Sequence, residues 1–357
     1  MPTVGIICEY NPFHNGHIYH INKVKELFPQ STIIAVVSGN FTQRGIPSIL
    51  SKEEKQKVAL ENGIDLIVEL PFVFATQSAD IFAQGAIEIL NKLKVEYLVF
   101  GSESNNIELI KMYAEEQLKN KEYDLKVKEL LNLGNNYPTA MSKALNYNSL
   151  NKPNDLLGMS YVKAILKLNA NITPITVQRT NDFHSTNIEN ISSASAIREA
   201  LKNNSDIKES VPLNVYKILK QKKQIDYFNL LKYKILSENT LIKKYQTVDE
   251  GIENRILKVI KNCNSLDELI KNVKTKRYTY NKLSRMFIHI LCSFTKEEAI
   301  ANKNIKYIMV LGFNSKGRFH LNRIKKEIDI PIITTKKYYN SLLSIENRVD
   351  DIYKIIS

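Results

Sequence analysis

The residues Thr3-Val4-Gly5-Ile6-Ile7-Cys8-Glu9-Tyr10-Asn11-Pro12-Phe13-His14-Asn15-Gly16-His17 read as a buried strand, a turn and the start of a helix. Thr3 to Cys8 is the apolar run, and Gly16 to Phe28 carries helical spacing. The turn between them lies where a parallel strand ends, the place where open α/β sheets bind ligands. Pro12 holds the turn extended, and Gly16 lacks a Cβ, so a ligand can approach the backbone. The free N–H groups and dipole of the helix start favour a phosphate. His14 and His17, three residues apart, share one face of the first turn and can aim imidazole N–H donors at it. Such donors support phosphoryl transfer electrostatically and do not act as nucleophiles. Two His at this spacing could also ligate a metal or simply face solvent, but nothing around them completes a metal-ligand set.

Outward from this stretch the pattern repeats. Strands are expected at Thr32–Ser38, Asp65–Glu69 and Tyr97–Phe100, with helices at Ser51–Asn62 and Ser78–Leu93 between them. Ser51 followed by Glu54 has the form of a capping box. This alternation predicts a parallel sheet covered by helices on both faces. Asn106–Leu133, Thr139–Asn146 and Leu157–Leu168 read as helices, and Thr173–Gln178 as an extended segment. The alternation fades after Leu201. Val215–Phe294 is mostly helical in pattern, and Ile305–Leu311, Leu321–Lys326 and Pro331–Thr334 read as a small strand–helix–strand appendix. A length of 357 residues predicts two units, each with its own core, and the polar stretch Lys202–Ser210 sets the expected boundary: 1–205, then 206–357.

Charge follows the same division. Residues 1–200 hold 19 Lys+Arg against 21 Asp+Glu, whereas residues 201–357 hold 31 against 16, so the whole net charge of +13 comes from the second part. Leu269 to Lys296 contains seven cations, no acidic residue, and the aromatic residues Tyr278, Tyr280 and Phe287. Basic side chains interleaved with aromatic ones suit a nucleic-acid backbone with unpaired bases; a solvated Lys-rich face is the plainer reading. No apolar stretch nears the ~20 residues of a membrane span, and the N-terminus lacks the basic region of a signal peptide. Three scattered Cys (Cys8, Cys263 and Cys292) form neither a disulfide framework nor a zinc spacing, which predicts a reducing cytoplasm.

His-Asn-Gly-His after the first strand resembles the signature of the HIGH-type nucleotidyltransferase superfamily. A second motif of that superfamily, a serine-rich turn entering a helix, is matched by Ile191-Ser192-Ser193-Ala194-Ser195-Ala196-Ile197-Arg198. The resemblance narrows to the bacterial tRNA(Met) cytidine acetate ligase family. It is carried by Gly5 to His17, Ser38-Gly39-Asn40-Phe41-Thr42-Gln43-Arg44-Gly45, Asp65-Leu66-Ile67-Val68-Glu69-Leu70-Pro71, Pro153-Asn154-Asp155-Leu156-Leu157-Gly158 and Thr275-Lys276-Arg277-Tyr278-Thr279-Tyr280. It implies a Rossmann-like parallel-sheet nucleotidyltransferase domain followed by a mostly helical basic domain. The implied activity uses ATP to form acetyl-adenylate from acetate. The acetyl group then passes to N4 of the wobble cytidine of elongator tRNA(Met), releasing AMP and pyrophosphate.

The resemblance implies roles for individual residues. His14 and His17 are the catalytic pair. The ATP phosphates are wrapped by Ile7, Cys8, Glu9, Tyr10, Asn11, Pro12 and Phe13, continuing through Asn15, Gly16, Ile18, Tyr19 and His20. Gly101 leaves room for the adenine or ribose, Asn154 bonds the nucleoside, and Arg179 reaches a phosphate. Ser192, Ser193, Ser195 and Arg198 grip the departing pyrophosphate. Lys274, Lys276, Arg277, Lys282 and Arg285 contact tRNA phosphates, and Tyr278 and Tyr280 stack on unpaired bases. Cys8, inside an apolar strand, is read as an inert thiol. Asn40, Gln43 and Arg44 face the cleft or merely form a turn. No metal ligand is assigned; Mg2+ enters only as the usual companion of ATP. Two rival readings share these residues, a transferase acting on a small phosphorylated metabolite and a non-catalytic RNA binder.

Overall fold

Short apolar runs separated by amphipathic ones form a seven-stranded sheet in the computed structural model, which describes residues 1–119, 121–135, 137–144, 152–179, 191–335 and 340–357. The first part runs β1 (Thr3–Cys8), α1 (Asn15–Leu27), β2 (Thr32–Ser38), α2 (Lys52–Glu61), β3 (Leu66–Leu70), α3 (Phe72–Ala75), α4 (Ala79–Lys92) and β4 (Tyr97–Ser102). Helices α5 (Ile107–Lys119), α6 (Lys121–Asn132), α7 (Tyr137–Ala144) and α8 (Pro153–Lys167) then lead to β5 (Thr173–Gln178) and α9 (Ala194–Lys202). The helix expected over Asn106–Leu133 is helical on either side of residue 120, which lies outside the described residues, as do the last two residues of the one expected over Thr139–Asn146.

The strand order is β5-β4-β1-β2-β3, all parallel. The direction of winding reverses at β1, between β2 on one side and β4 on the other, which opens a crevice above the carboxyl ends of β1 and β4. Successive side chains of β2 point to opposite faces. Ile33, Ala35 and Val37 enter one core with Val4, Ile6, Ile21 and Val24. Ile34 and Val36 enter the other, with Leu66, Val68 and the inner faces of α4 and α8. Both faces are covered, which explains why the strands are apolar throughout rather than alternating.

The second part begins with α10 (Leu213–Leu219), α11 (Phe228–Glu238), α12 (Ile252–Val259), α13 (Leu266–Val273), α14 (Tyr280–Leu291) and α15 (Lys296–Ala301). It ends with β6 (Ile308–Phe313), α16 (Ser315–Ile324), β7 (Ile332–Ile333) and α17 (Ser341–Ile356). The appendix expected within the helical unit joins the first sheet instead: β6 pairs antiparallel with β3, and β7 continues parallel beyond it. The core beneath β2 and β3 also continues into Phe287, Phe294, Tyr307 and Val349, so the two parts share one apolar cluster instead of holding separate cores.

Helix α17 is fastened to the sheet by buried charge. Lys52 Nζ lies 2.9 Å from Glu69 and 2.6 Å from Asp350, and all three side chains are at most 6% exposed. Asp350 also accepts a hydrogen bond from the Asn40 amide at 2.9 Å, and the Tyr353 hydroxyl donates to the Ser48 carbonyl at 2.7 Å. Breaking a buried pair leaves an uncompensated charge. Asp350→Ala is therefore expected to lower unfolding free energy by about 3–5 kcal/mol in urea denaturation, while Asp351→Ala, at an exposed neighbour, changes it by less than about 0.5 kcal/mol. A loss at Asp350 no larger than at Asp351 would show that the cluster does not hold the helix.

Candidate active site

The chain leaving β1 turns through Tyr10 in the left-handed region (φ 48°) and buries Asn11, Pro12 and Phe13 before α1 begins. His14 is the N-cap of α1. Its Nδ1 accepts from the Gly16 N–H at 3.1 Å, while the His14 N–H donates to His17 Nδ1 at 3.1 Å. The two imidazoles thus cap the helix reciprocally, in the manner of a capping box but with rings in place of hydroxyl and carboxylate. Each ring spends its Nδ1 lone pair on a backbone N–H, so a neutral ring carries its proton on Nε2. The rings lie 3.9 Å apart, and His17 is flanked by Tyr10 at 4.8 Å and Phe13 at 5.3 Å. Burial, with Arg179 and Arg198 close by, pushes His14 down to about 3. Burial and the neighbouring His14, His20 and Arg179 hold His17 well below the usual imidazole range. Both are neutral N–H donors at physiological pH. The alternative of a two-His metal site loses both Nδ1 lone pairs to the backbone.

These rings open on a cleft of about 120 Å³ at the β1/β4 crevice. It is lined by Gly16, Tyr19 and His20 of α1, Gly101 at the end of β4, Arg179 after β5, and Ile191, Ser192 and Ser193 before α9. Ser193 caps α9, accepting from the Ala196 N–H at 3.1 Å, so a second helix N-terminus faces the same cleft. Beside it, Arg198 donates to the Asn11 carbonyl at 2.7 Å and to Ser195 Oγ at 3.2 Å, and Arg44 donates to the same hydroxyl at 2.8 Å. Burial and Arg44 lower Arg198 to about 10. Sequence reasoning left Arg44 between cleft and turn; its neighbour across space is Ser195, 151 positions away, and no local signal marks it.

Several residues expected at the site have other contacts in the fold. A Cβ on Gly16 would stand 2.8 Å from His14 Cε1 and 2.9 Å from Nδ1, so the space this glycine leaves is filled by the His14 ring. Gly101 leaves room for the Arg179 stem, whose Cγ would lie 3.2 Å from a Cβ there. Glu9 accepts from the Gln43 N–H at 2.6 Å, and Asn15 is turned to the Glu209 carbonyl at 2.7 Å. Asn154 donates to Glu103 at 2.6 Å and does not line the cleft. Ser192 bonds Ser210 at 3.0 Å. Ile7 and Ile18 pack against the two cores. Burial pushes the Cys8 thiol up to about 12, which leaves it protonated and inert.

The basic segment of the helical part divides in two. Lys274, Lys276 and Arg277 are exposed, Arg277 paired with Glu250. Tyr278 is 5% exposed, its hydroxyl donates to the Asp249 carbonyl at 2.7 Å, and Lys282 covers its ring at 3.9 Å. The expected stacking face of Tyr278 is therefore taken by its own neighbour; Tyr280, 44% exposed, is the open aromatic. Arg285 turns inward, donating to the Gln43 carbonyl at 3.2 Å, so it braces the loop after β2.

The model of the HIGH nucleotidyl transferase family matches residues 1–357. Proteins from Caldicellulosiruptor saccharolyticus and Clostridium perfringens, both named tRNA(Met) cytidine acetate ligase, are 39% and 40% identical to the chain; they cover 99% and 100% of it and 94% and 96% of their own lengths. A Fusobacterium nucleatum protein of the same name is 37% identical over 96% of the chain and 91% of its own length. The crystal structure of Thermotoga maritima TmcAL bound with alpha-thio ATP superposes with a TM-score of 0.88 at 30% identity, covering 100% of this chain and 95% of that one. The apo structure of the same protein gives 0.86 at 31% identity, over 98% of this chain and 92% of that one.

Gly16→Ala is expected to push His14 off its cap and weaken nucleotide binding at least about ten-fold, read by calorimetry; unchanged affinity would mean that the ring position is unimportant. The imidazoles also set a pH dependence. In the fold His14 lies at about 3 and His20 at about 4, against 6.5 when unfolded. Unfolding therefore takes up protons below pH 6.5. The stability these groups contribute is complete above that pH and is lost as the pH falls toward 4, at up to about 1.4 kcal/mol per unit for each. The thermal midpoint is expected to drop between pH 7 and 5, and less so in His14→Asn; a level midpoint in the parent protein would show imidazoles titrating normally.

Proposed function

The chain belongs to the tRNA(Met) cytidine acetate ligase family of HIGH nucleotidyl transferases, and on that premise we propose that it activates acetate with ATP and transfers the acetyl group to N4 of the wobble cytidine of elongator tRNA(Met). It is a ligase that forms a carbon–nitrogen bond. The observation that carries the finer reading is the reciprocal His14–His17 cap, which holds two neutral Nε2–H donors beside a second helix N-terminus.

In the first step an acetate oxygen attacks the α-phosphorus of ATP in line, and the bond to the β-phosphate oxygen breaks. Negative charge spreads over the equatorial oxygens, where His14 and His17 donate without a proton changing hands. The leaving pyrophosphate is held by Ser193, Ser195, Arg198 and the N–H groups opening α9, with Arg44 adjoining. In the second step cytidine N4 attacks the acetyl carbon, AMP departs with the bonding pair, and N4 loses a proton to solvent. Cytidine N4 is too weak a nucleophile for acetate itself, and adenylation supplies the leaving group. The donor set around the cleft suits an anion, and among the described residues no group of three or more His, Cys, Asp or Glu could hold a metal ion. A Mg2+ ion, if used, would be carried with the nucleotide phosphates and would offset their charge.

The tRNA lies over the exposed Lys274, Lys276 and Arg277, with Tyr280 available for stacking and Lys282 contributing charge at the edge. Such contacts position the RNA without reading its sequence. The reaction then belongs to the cytoplasm, where tRNA is found.

Incubation with ATP, acetate and tRNA(Met), followed by digestion and mass analysis of nucleosides, is expected to give cytidine heavier by one acetyl group, and none when acetate is omitted. His14→Ala/His17→Ala is expected to lower the rate by at least about a thousand-fold while salt-sensitive tRNA binding persists. Turnover of a small phosphorylated metabolite with no gain on cytidine would replace this reading with the transferase one.

A further inference from the structure

The loop after β2, residues 39–45, stands on the far side of β1 from β4. A nucleotide seated in the β1/β4 crevice therefore leaves this loop to the second substrate. Helix α14, which follows the exposed basic turn at 274–277, packs directly against it: the Ser284 hydroxyl donates to the Gly45 carbonyl at 2.9 Å. The polar side chains of the loop are committed, with one exception. Asn40 gives its amide N–H to Asp350 at 2.9 Å and accepts from the Lys52 N–H at 3.1 Å. Thr42 Oγ1 donates to the Ile46 carbonyl at 3.1 Å, and Arg44 donates to Ser195 at 2.8 Å. Gln43 differs. Its backbone is locked from both sides, the N–H by Glu9 at 2.6 Å and the carbonyl by Arg285 at 3.2 Å. Its side chain is half-buried, and among the described residues its amide has no hydrogen-bond partner.

A primary amide on a fixed backbone offers an acceptor, Oε1, next to a donor, Nε2–H. That order is complementary to the edge of an unpaired cytosine, which presents its 4-amino donor next to the N3 acceptor. Acetate and phosphate offer acceptors only and would leave Oε1 unmatched. We propose that Gln43 receives the wobble cytosine: Oε1 accepts from one N4–H, and Nε2–H donates to N3. Both bonds lie in the plane of the base, so they hold N4 with its open face toward the acetyl carbon. Gln43 takes no proton. The N4–C bond forms as the bond from the acetyl carbon to AMP breaks, and the N4 proton leaves to solvent. Rotation of the amide would also match a uracil edge, but uridine has no 4-amino group to acetylate. The proposal rests on the tRNA-acetylation reading above and adds the residue that positions the accepting nitrogen.

The test separates the two half-reactions in the full chain. Acetate-dependent exchange of labelled pyrophosphate into ATP, without tRNA, reads the first. Acetyl transfer to tRNA(Met) carrying cytidine or 3-deazacytidine (C–H in place of N3) at the wobble position reads the whole. The ratio of rates on the two tRNAs is compared between proteins, which cancels the intrinsic reactivity of the altered base. In Gln43→Met, transfer to cytidine is expected to fall about thirty-fold while exchange stays within about three-fold of the parent. Replacing N3 is expected to slow the parent about ten-fold more than it slows Gln43→Met. Gln43→Glu keeps an acceptor for N4 but sets a carboxylate lone pair against N3, so its ratio should shift further toward the 3-deaza substrate. Equal ratios in the parent and Gln43→Met would overturn the proposal. So would exchange that falls as far as transfer in Gln43→Met, which would place Gln43 at the acetate or in the framework of the loop. A parent that exchanges pyrophosphate but acetylates neither tRNA would remove the tRNA reading, and this proposal with it.

Discussion

Two hydrogen bonds of 3.1 Å between imidazole Nδ1 atoms and backbone N–H groups govern the cleft. Catalytic histidines are commonly oriented by a carboxylate, which fixes the tautomer but raises the pKa and adds negative charge. A cleft that presents donors to an anion gains from neither effect. The peptide N–H does the orienting here without charge, and it keeps both rings as neutral N–H donors at the cleft. The geometry depends on the intervening Gly16, because any side chain there would occupy the space of the His14 ring.

Among the described residues, the carboxylates of Glu9, Glu103 and Asp155 are each held by peptide N–H groups. Glu9 takes the Gln43 N–H, Glu103 takes the Asn154 and Asp155 N–H groups, and Asp155 takes those of Glu103 and Ser104. The cations come from separate elements: Arg44 from the loop after β2, Arg179 from the end of β5 and Arg198 from α9. Arg44 and Arg198 meet on one Ser195 hydroxyl, a like-charge arrangement that a bound anion relieves. The cleft is thus charged before any ligand arrives, and its field belongs to the folded chain rather than to any one motif.

What the sequence made legible was local. The β1–turn–α1 unit, the Ser51 cap and the serine-rich entry to α9 each declare themselves within about seven residues, through apolar spacing and capping chemistry. The strand–helix alternation made the parallel sheet legible as well. Pairings between distant segments were not. β6 joins β3 across more than two hundred positions, and a strand of that length reads the same whether it edges a second domain or closes the first sheet. Tyr278 sits in a basic, aromatic segment, which is the composition of an RNA face, yet the helix turns it inward onto Asp249. Composition reports which residues are available; only packing decides which of them are spent inside.

The loop from Gly39 to Gly45 ties these levels together. Lys55, fully buried, donates to the Ser38 and Gly39 carbonyls, and Asn40 is held by Asp350 of α17. Gln43 is fixed between Glu9 of the β1 end and Arg285 of α14. At Gly45, with φ 74°, the backbone lies directly against Ser284 and Arg285, leaving no space for a Cβ, and the Ser284 hydroxyl donates to its carbonyl at 2.9 Å. Arg44, which reaches Ser195, therefore stands where the C-terminal half puts it. The basic helices and the Arg44–Ser195–Arg198 cluster consequently pack together. The chain after residue 205 does more than carry the excess positive charge: through α14 and α17 it sets the position of a cation, Arg44, beside the β1/β4 cleft.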